Sequence, residues 1–151
     1  MRIDKMSLQE CRNLLARVGF GRLACARKNQ PYILPVYFAY EPDHLYGFST
    51  MGRKIEWMRL NPLVCVQADE VLNRQNWASV IVLGRFKELR DTPEYVKERN
   101  QAQSLLGKRS LWWQPGYAAS QARSGRKPAS PVLYCIHAEE ITGLRATPGR
   151  G

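Results

Sequence analysis

The sequence predicts a mainly β domain of α+β type, a small antiparallel barrel of six strands with flanking helices. Three observations carry this. Apolar, β-branched and aromatic runs recur along the chain, and the first three are joined by hairpin-length turns, Asn29-Gln30-Pro31 and Glu41-Pro42-Asp43. Helical periodicity appears only at the start, after the third strand and after the fifth, so the strands lack the regular crossovers a parallel sheet requires. No GxGxxG follows the first strand, which removes the dinucleotide fingerprint of the doubly wound folds.

The elements follow in order. Ser7 to Val18 reads as a helix: Ser7 caps it, Glu10 completes a capping box, and Leu8, Cys11, Leu14, Leu15 and Val18 share a face. Gly19 and Gly21 end it. Strands are expected at Phe20 to Lys28, Tyr32 to Tyr40 and His44 to Ser49, then a helix over 52–60 that stops at Asn61-Pro62. Leu63 to Ala68 is the fourth strand, Asp69 to Asn76 a polar connection, and Trp77 to Leu89 a long fifth strand. Asp91-Thr-Pro-Glu94 opens a helix running to about Leu106. Gly107 to Pro131 is a basic loop, Pro131 to Ile141 the last strand, and the rest a tail. The whole chain, 1–151, is expected to be one domain with its core in 7–145 and a tail at 146–151.

Composition narrows the function. The 151 residues are 44% hydrophobic, enough for a packed core, and no run approaches the roughly 20 apolar residues of a membrane span. The first ten residues are polar and lack the apolar stretch of a secretion signal, so a cytoplasmic location is expected. Four cysteines without a CxxC pair, and only two histidines, argue for buried thiols and against a metal centre. A net charge of +10 favours an anionic partner. Residues 105–138 contain no acid but hold Lys108, Arg109, Arg123, Arg126 and Lys127.

Two segments invite a ligand. Ser49 and Thr50, then Gly52, Arg53 and Lys54, place hydroxyls and two cations where a helix begins. A helix start offers free N–H groups and positive potential, as a phosphate requires. A capped surface helix with solvated cations fits the same residues. In the strand around Leu34, Pro35 and Val36, Pro35 cannot donate to a ladder, so either a flat ligand or open edge faces it.

In order, Pro31-x-x-x-Pro35-Val36-x-Phe38, Leu45-Tyr-Gly-Phe-Ser49, Gly52-Arg-Lys54, Asn61-Pro62 and Val80-Ile-Val-Leu-Gly84-Arg resemble the pyridoxamine 5′-phosphate oxidase-like family. The ending Val132 to Gly143 is similar to the last strand of its small Nim-like branch, named for 5-nitroimidazole reductases. The resemblance spans about residues 7 to 145. It implies an FMN-binding split β-barrel, a homodimer with flavin at the interface, and chemistry carried by the cofactor. Carried over by position, Leu34, Pro35 and Val36 would lie along the flavin ring, Phe48, Ser49 and Thr50 beside ring and ribityl chain, and Arg53 and Lys54 on the phosphate. Trp77, Ser79 and Val80 would frame the pocket or approach from the partner chain. Two departures argue against vitamin B6 oxidation: Tyr32-Ile33 stands where the true oxidases carry an Arg, and the tail lacks their Arg- and His-bearing motif.

The expected function is therefore an FMN-dependent oxidoreductase of a small molecule, nitroreductase-like, with a nicotinamide electron donor. A flavin module without turnover shares the same fold, as does a barrel holding haem or deazaflavin. A nucleic-acid-binding barrel lacks the regular basic and aromatic stripe it would need. No catalytic side chain stands out. Trp112 and Trp113 fit either a pocket lid or a packed anchor, and His137 reads as structural.

Overall fold

In the computed structural model, residues 1–108 and 131–150 are described. The elements are β1 (Arg2–Lys5), α1 (Leu8–Val18), β2 (Phe20–Arg27), β3 (Gln30–Tyr37), β4 (Ala39–Glu41), β5 (His44–Ser49), α2 (Arg53–Leu60), β6 (Leu63–Asn73), β7 (Asn76–Glu88), α3 (Val96–Gly107) and β8 (Val132–Thr147). All pairings are antiparallel, in the order β3-β2-β6-β7-β8-β5-β4, with β1 added to β8. The two ends of this sheet, β3 and β4, are separated in sequence by Phe38 alone, whose N–H donates to the carbonyl of Gly19 (3.0 Å). A sheet whose end strands are joined by one residue must curl until they meet. No ladder crosses between them among the described residues, so the barrel closes with a seam. The expected mainly β, split-barrel class is the observed one.

The barrel interior is filled by Leu23, Val66, Val80, Val82 and Ile136, with Leu14 and Leu15 from α1 and Ile55 and Met58 from α2 plugging it. α1 forms as its sequence requires: the Ser7 Oγ accepts the Glu10 N–H (3.2 Å), and Gly19 ends it with φ 61°, a left-handed value that glycine adopts freely. α2 ends at Asn61, whose amide donates to the Ala26 carbonyl (3.1 Å) and whose Oδ1 accepts the Leu63 N–H (3.2 Å), launching β6. A second cluster, Tyr46, Leu89, Ala102, Leu133 and Cys135, packs α3 on the other face of β5 and β8. This explains the unbroken apolar runs in those two strands.

Among the described residues eight strands are present where the sequence suggested six. The split of Tyr32 to Tyr40 into β3 and β4 at Phe38 adds one, and β1 the other. β1 was hidden because Arg2–Lys5 is polar and finds its place only by pairing with Thr147 to Leu144, inside the expected tail. The polar connection Asp69 to Asn76 instead continues β6 to Asn73 and begins β7 at Asn76. Its charges have partners: Asp69 meets Arg22 (3.7 Å) and the Gln67 amide (2.9 Å), and Glu70 pairs with Arg17. A polar run was thus a paired strand. The helix after Asp91 begins as a 3-10 turn over Pro93–Tyr95 before α3 proper. Trp112, Trp113 and residues 109–130 of the basic loop lie outside the described residues. No described helix is long and apolar enough to cross a membrane.

Candidate functional site

At the barrel's seam, where the edge of β3 passes the end of β5 and the start of α2, lies a cavity of about 260 Å³. Pro35, Val36 and Tyr37 form one wall, Phe48, Ser49 and Thr50 another, and Leu106 and Pro131 close the far side. Lys54 and Tyr134 complete the lining. Among the described residues β3 is an edge strand paired only with β2, so Pro35 sits where no second strand needs its missing N–H. The open-edge reading of that proline is the observed one, and the same edge borders the cavity.

Tyr134 lies across from Gly47 in the β5–β8 ladder. A Cβ on Gly47 would come within 2.5 Å of the Tyr134 ring, so the glycine is what lets the ring pack against β5 beside the cavity. The tyrosine is 3% exposed, and burial pushes its hydroxyl well above the ordinary phenol range, so it stays protonated.

Lys54 is the charged element. Its ammonium lies 5.9 Å from the centre of the Tyr134 ring, and no carboxylate pairs with it among the described residues. Partial burial pulls its pKa below the ordinary lysine value, opposed by the nearby Cys25 thiol. Gly52, the residue before α2, is extended (φ 177°) and supplies no side-chain cap, so the first N–H groups of α2 are left without a side-chain partner. The Ser49 hydroxyl, in the cavity lining, donates to the Thr50 carbonyl (2.9 Å). The site is an apolar slot with a cation, two hydroxyls and a bare helix start at one end. Its chemistry suits a flat ligand carrying an anionic group.

The structure brings together Pro35, Val36, Phe48, Ser49, Thr50 and Lys54 of the sequence-derived set. Leu34, beside them, packs against the core instead of lining the cavity. Arg53 points elsewhere, over the rings of Tyr32 (5.4 Å) and Trp57 (5.9 Å). Trp77 lines a separate groove with Met6, Leu72 and Arg145, Ser79 Oγ accepts the Gln67 amide (3.0 Å), and Val80 is 0% exposed inside the barrel. Tyr37, Leu106, Pro131 and Tyr134 were not foreseen. The signal for Tyr134 was Gly47, a glycine inside an apolar strand, which marks a close approach. His44 and His137 meet edge-on at 5.3 Å, at the opposite end of β5 from Ser49. Among the described residues no cluster could hold a metal ion.

The sequence profile described as pyridoxamine 5′-phosphate oxidase matches residues 7–145. The chain belongs to the pyridoxamine 5′-phosphate oxidase family. A crystal structure of a FAD-binding protein from Mesorhizobium loti is 39% identical, covers 98% of this chain and 99% of its own, and superposes with a TM-score of 0.79. An uncharacterized protein of Rhizobium meliloti (strain 1021) is also 39% identical, over 99% of both chains. A candidate 5-nitroimidazole antibiotic resistance protein of Bacteroides thetaiotaomicron shares the fold at 17% identity and a TM-score of 0.67, covering 96% of this chain and 89% of that one. As a member of the family, the chain keeps the split barrel intact and carries the cavity at the seam.

Proposed function

We propose that this protein is a flavin-dependent oxidoreductase acting on a small molecule, with the cavity at the barrel seam taking the FMN portion of the cofactor. The observation that supports this most is Lys54: a partly buried ammonium with no carboxylate partner among the described residues, at the start of an uncapped helix, in a slot walled by Pro35, Val36 and Phe48. A desolvated cation without a counter-charge is costly in an empty structure and becomes favourable when a phosphate meets it. The residues fit the group. Lys54, Ser49, Thr50 and the first amides of α2 would hold the phosphate, and Pro35, Val36 and Phe48 would face the ring. Membership of the family and likeness to a FAD-binding protein support a flavin in this role.

A bound flavin supplies two-electron redox chemistry, drawing electrons from a donor such as a nicotinamide and passing them to an acceptor. The chain's part is to bind and orient. The apolar walls exclude water from one side, and the Tyr134 hydroxyl, held protonated by burial, offers a hydrogen-bond donor at the cavity floor. A nitroaromatic compound is the acceptor to try first.

The working form is proposed to be a homodimer. Ile33 (63% exposed), Leu63 (54%), Ile81 (42%) and Leu83 (46%) lie on the outer face of the sheet, and the register aligns Ile33, Ala24, Cys65 and Leu83 in one row across it. Pro35 is on the same face as Ile33, so a second copy seated there would also cover the mouth of the cavity. Sedimentation should give twice the 17.3 kDa chain mass. The binding test is titration of the full chain with FMN and riboflavin. FMN should bind more tightly, and absence of binding by either would refute the flavin reading.

A further inference from the structure

We infer that the electron acceptor of this protein is a small flat carboxylic acid, and that Arg22, beside the mouth of the seam cavity, selects it. The inference rests on the proposed flavin reading and concerns the acceptor alone. Register places Arg22 of β2 directly across from Pro35 of β3, and Phe20 across from Tyr37. Side chains two apart on a strand share a face, so all four project from one side of this sheet edge. It is the outward side: Arg22, Pro35 and Tyr37 are exposed and Phe20 is half-buried. Pro35 and Tyr37 also line the cavity. Cross-strand neighbours stand about 5 Å apart at Cβ, so the Arg22 side chain begins one strand away from the cavity wall.

The contacts of Arg22 hold it near that wall. Its guanidinium lies 5.5 Å from the centre of the Phe20 ring, and that ring lies 4.6 Å from the Tyr37 ring, tilted by 49°. Cation, phenyl ring and phenol thus run in sequence from Arg22 to the cavity rim. The counter-charge is Asp69 of β6, at 3.7 Å, too long for a direct hydrogen bond. Asp69 is engaged elsewhere, accepting the Gln67 amide at 2.9 Å, and the same amide reaches the Ser79 hydroxyl at 3.0 Å. Arg85 and Arg145 meet their carboxylates at 2.6 Å, so Arg22 is the more loosely held cation. Its side chain is 45% exposed, which leaves N–H donors open toward solvent.

A guanidinium offers a planar fork that matches a carboxylate through two parallel hydrogen bonds. One cation with an aspartate beside it suits a singly charged group, because the Asp69 charge would oppose a phosphate dianion. Phe20 and Tyr37 give a flat ring an apolar surface to lie on. An aromatic acid with its carboxylate on Arg22 and its ring against Tyr37 would direct its far end to the cavity. In the proposed homodimer this corner would be covered, and a covered charge contact is screened less by salt.

The test is calorimetric titration of the FMN-loaded protein with benzoate and its neutral analogue benzamide. Benzoate should bind about fivefold more tightly, as expected of a half-exposed charge pair, and added salt should shrink the preference. Arg22→Gln should bring the benzoate-to-benzamide ratio close to one, with benzamide affinity little changed. Asp69→Asn removes the competing charge and should raise benzoate affinity by about a further two- to threefold, a gain that a purely structural ion pair would not give. Reoxidation of the reduced flavin by para-nitrobenzoate and para-nitrobenzamide should reach half-saturation in the same order. Equal affinities for benzoate and benzamide in the wild type, no measurable binding of either, or an equal loss of both in Arg22→Gln overturns the acceptor assignment and leaves the flavin reading in place. Failure of FMN to load refutes the flavin reading, and this inference with it.

Discussion

The first turns of α1 and α2 face the same physical problem, backbone N–H groups with no helical partner, and meet it by opposite means. α1 is closed. The Ser7 Oγ accepts the Glu10 N–H (3.2 Å), and the Glu10 carboxylate pairs with Arg145 of β8 (2.6 Å). α2 is open. Gly52 has no side chain to lend, the next residues are two cations, and Lys54 has no counter-charge among the described residues. The first arrangement spends its polar groups on stability. The second leaves them unsatisfied beside an apolar slot, which is the pattern of a binding site that gives up some stability for function. The same capping rules thus close one helix start and leave the other open, as the proposed anion site requires.

The widest gap between the two should appear on removing Lys54. Lys54→Ala is expected to weaken FMN binding roughly 10- to 150-fold, the worth of a charged hydrogen bond of about 1.5–3 kcal/mol. Riboflavin, which lacks the phosphate, should lose far less, and titration of both ligands decides it. Equal losses would mean that Lys54 does not meet the phosphate. The matching change at α1, Ser7→Ala, should leave FMN affinity untouched and cost about 1 kcal/mol of stability. In a chain of this length that lowers Tm by roughly 2–4 °C. A change in FMN affinity there would show that the two helix starts are not independent.

Much of this contrast was legible in the sequence, because local rules govern it. The Ser7 and Glu10 spacing announced a capped start, and Ser49, Thr50, Gly52 and Lys54 announced an anion-friendly one. Where the sequence failed, the deciding partner was far along the chain. Asp69 and Glu70 looked like a loop because their partners, Arg22 and Arg17, are distant in sequence. β1 and the end of β8 stabilise one another and have no apolar pattern of their own. Tyr134 was passed over because its role depends on facing Gly47 across a ladder, a relation set by register. Arg53 and Lys54 were assigned together as neighbours in sequence, yet the helix turns them toward different surroundings.

A pH series sharpens the comparison further. Burial lowers the Lys54 pKa below the ordinary 10.5, and the groups facing it, the Cys25 thiol and the Tyr134 hydroxyl, are themselves pushed up by burial and stay neutral longer. On the proposed reading the phosphate meets the protonated lysine. FMN affinity should therefore be full below the lowered Lys54 pKa and fall as pH rises through it, beginning below pH 10.5. Stability of the flavin-free protein should move the opposite way. The unfolded chain holds the Lys54 proton more tightly than the folded one, so unfolding stability gains as pH rises through the same window. Lys54→Met should remove both trends. A flat FMN profile across that window would show that the phosphate does not depend on this ammonium.

The smallest expected effect on stability, and the most direct exchange of one helix start for the other, comes from Gly52→Asp. Gly52 is extended (φ 177°), a conformation any residue adopts, and nothing lies within 4 Å of where a Cβ would stand. An aspartate can therefore enter without strain and cap α2 as Ser7 caps α1. Glycine is itself a tolerable N-cap, so the gain should be a few tenths of a kcal/mol. That predicts a Tm rise of no more than about 2 °C. The new carboxylate would also meet the N–H groups and the ammonium that the phosphate needs. FMN affinity should fall by about tenfold, with riboflavin nearly unchanged. Gly52→Ser, a neutral cap, should give a comparable small rise in Tm with a weaker loss of FMN. If Gly52→Asp stabilises the protein and leaves FMN affinity intact, the open start of α2 is not where the phosphate binds.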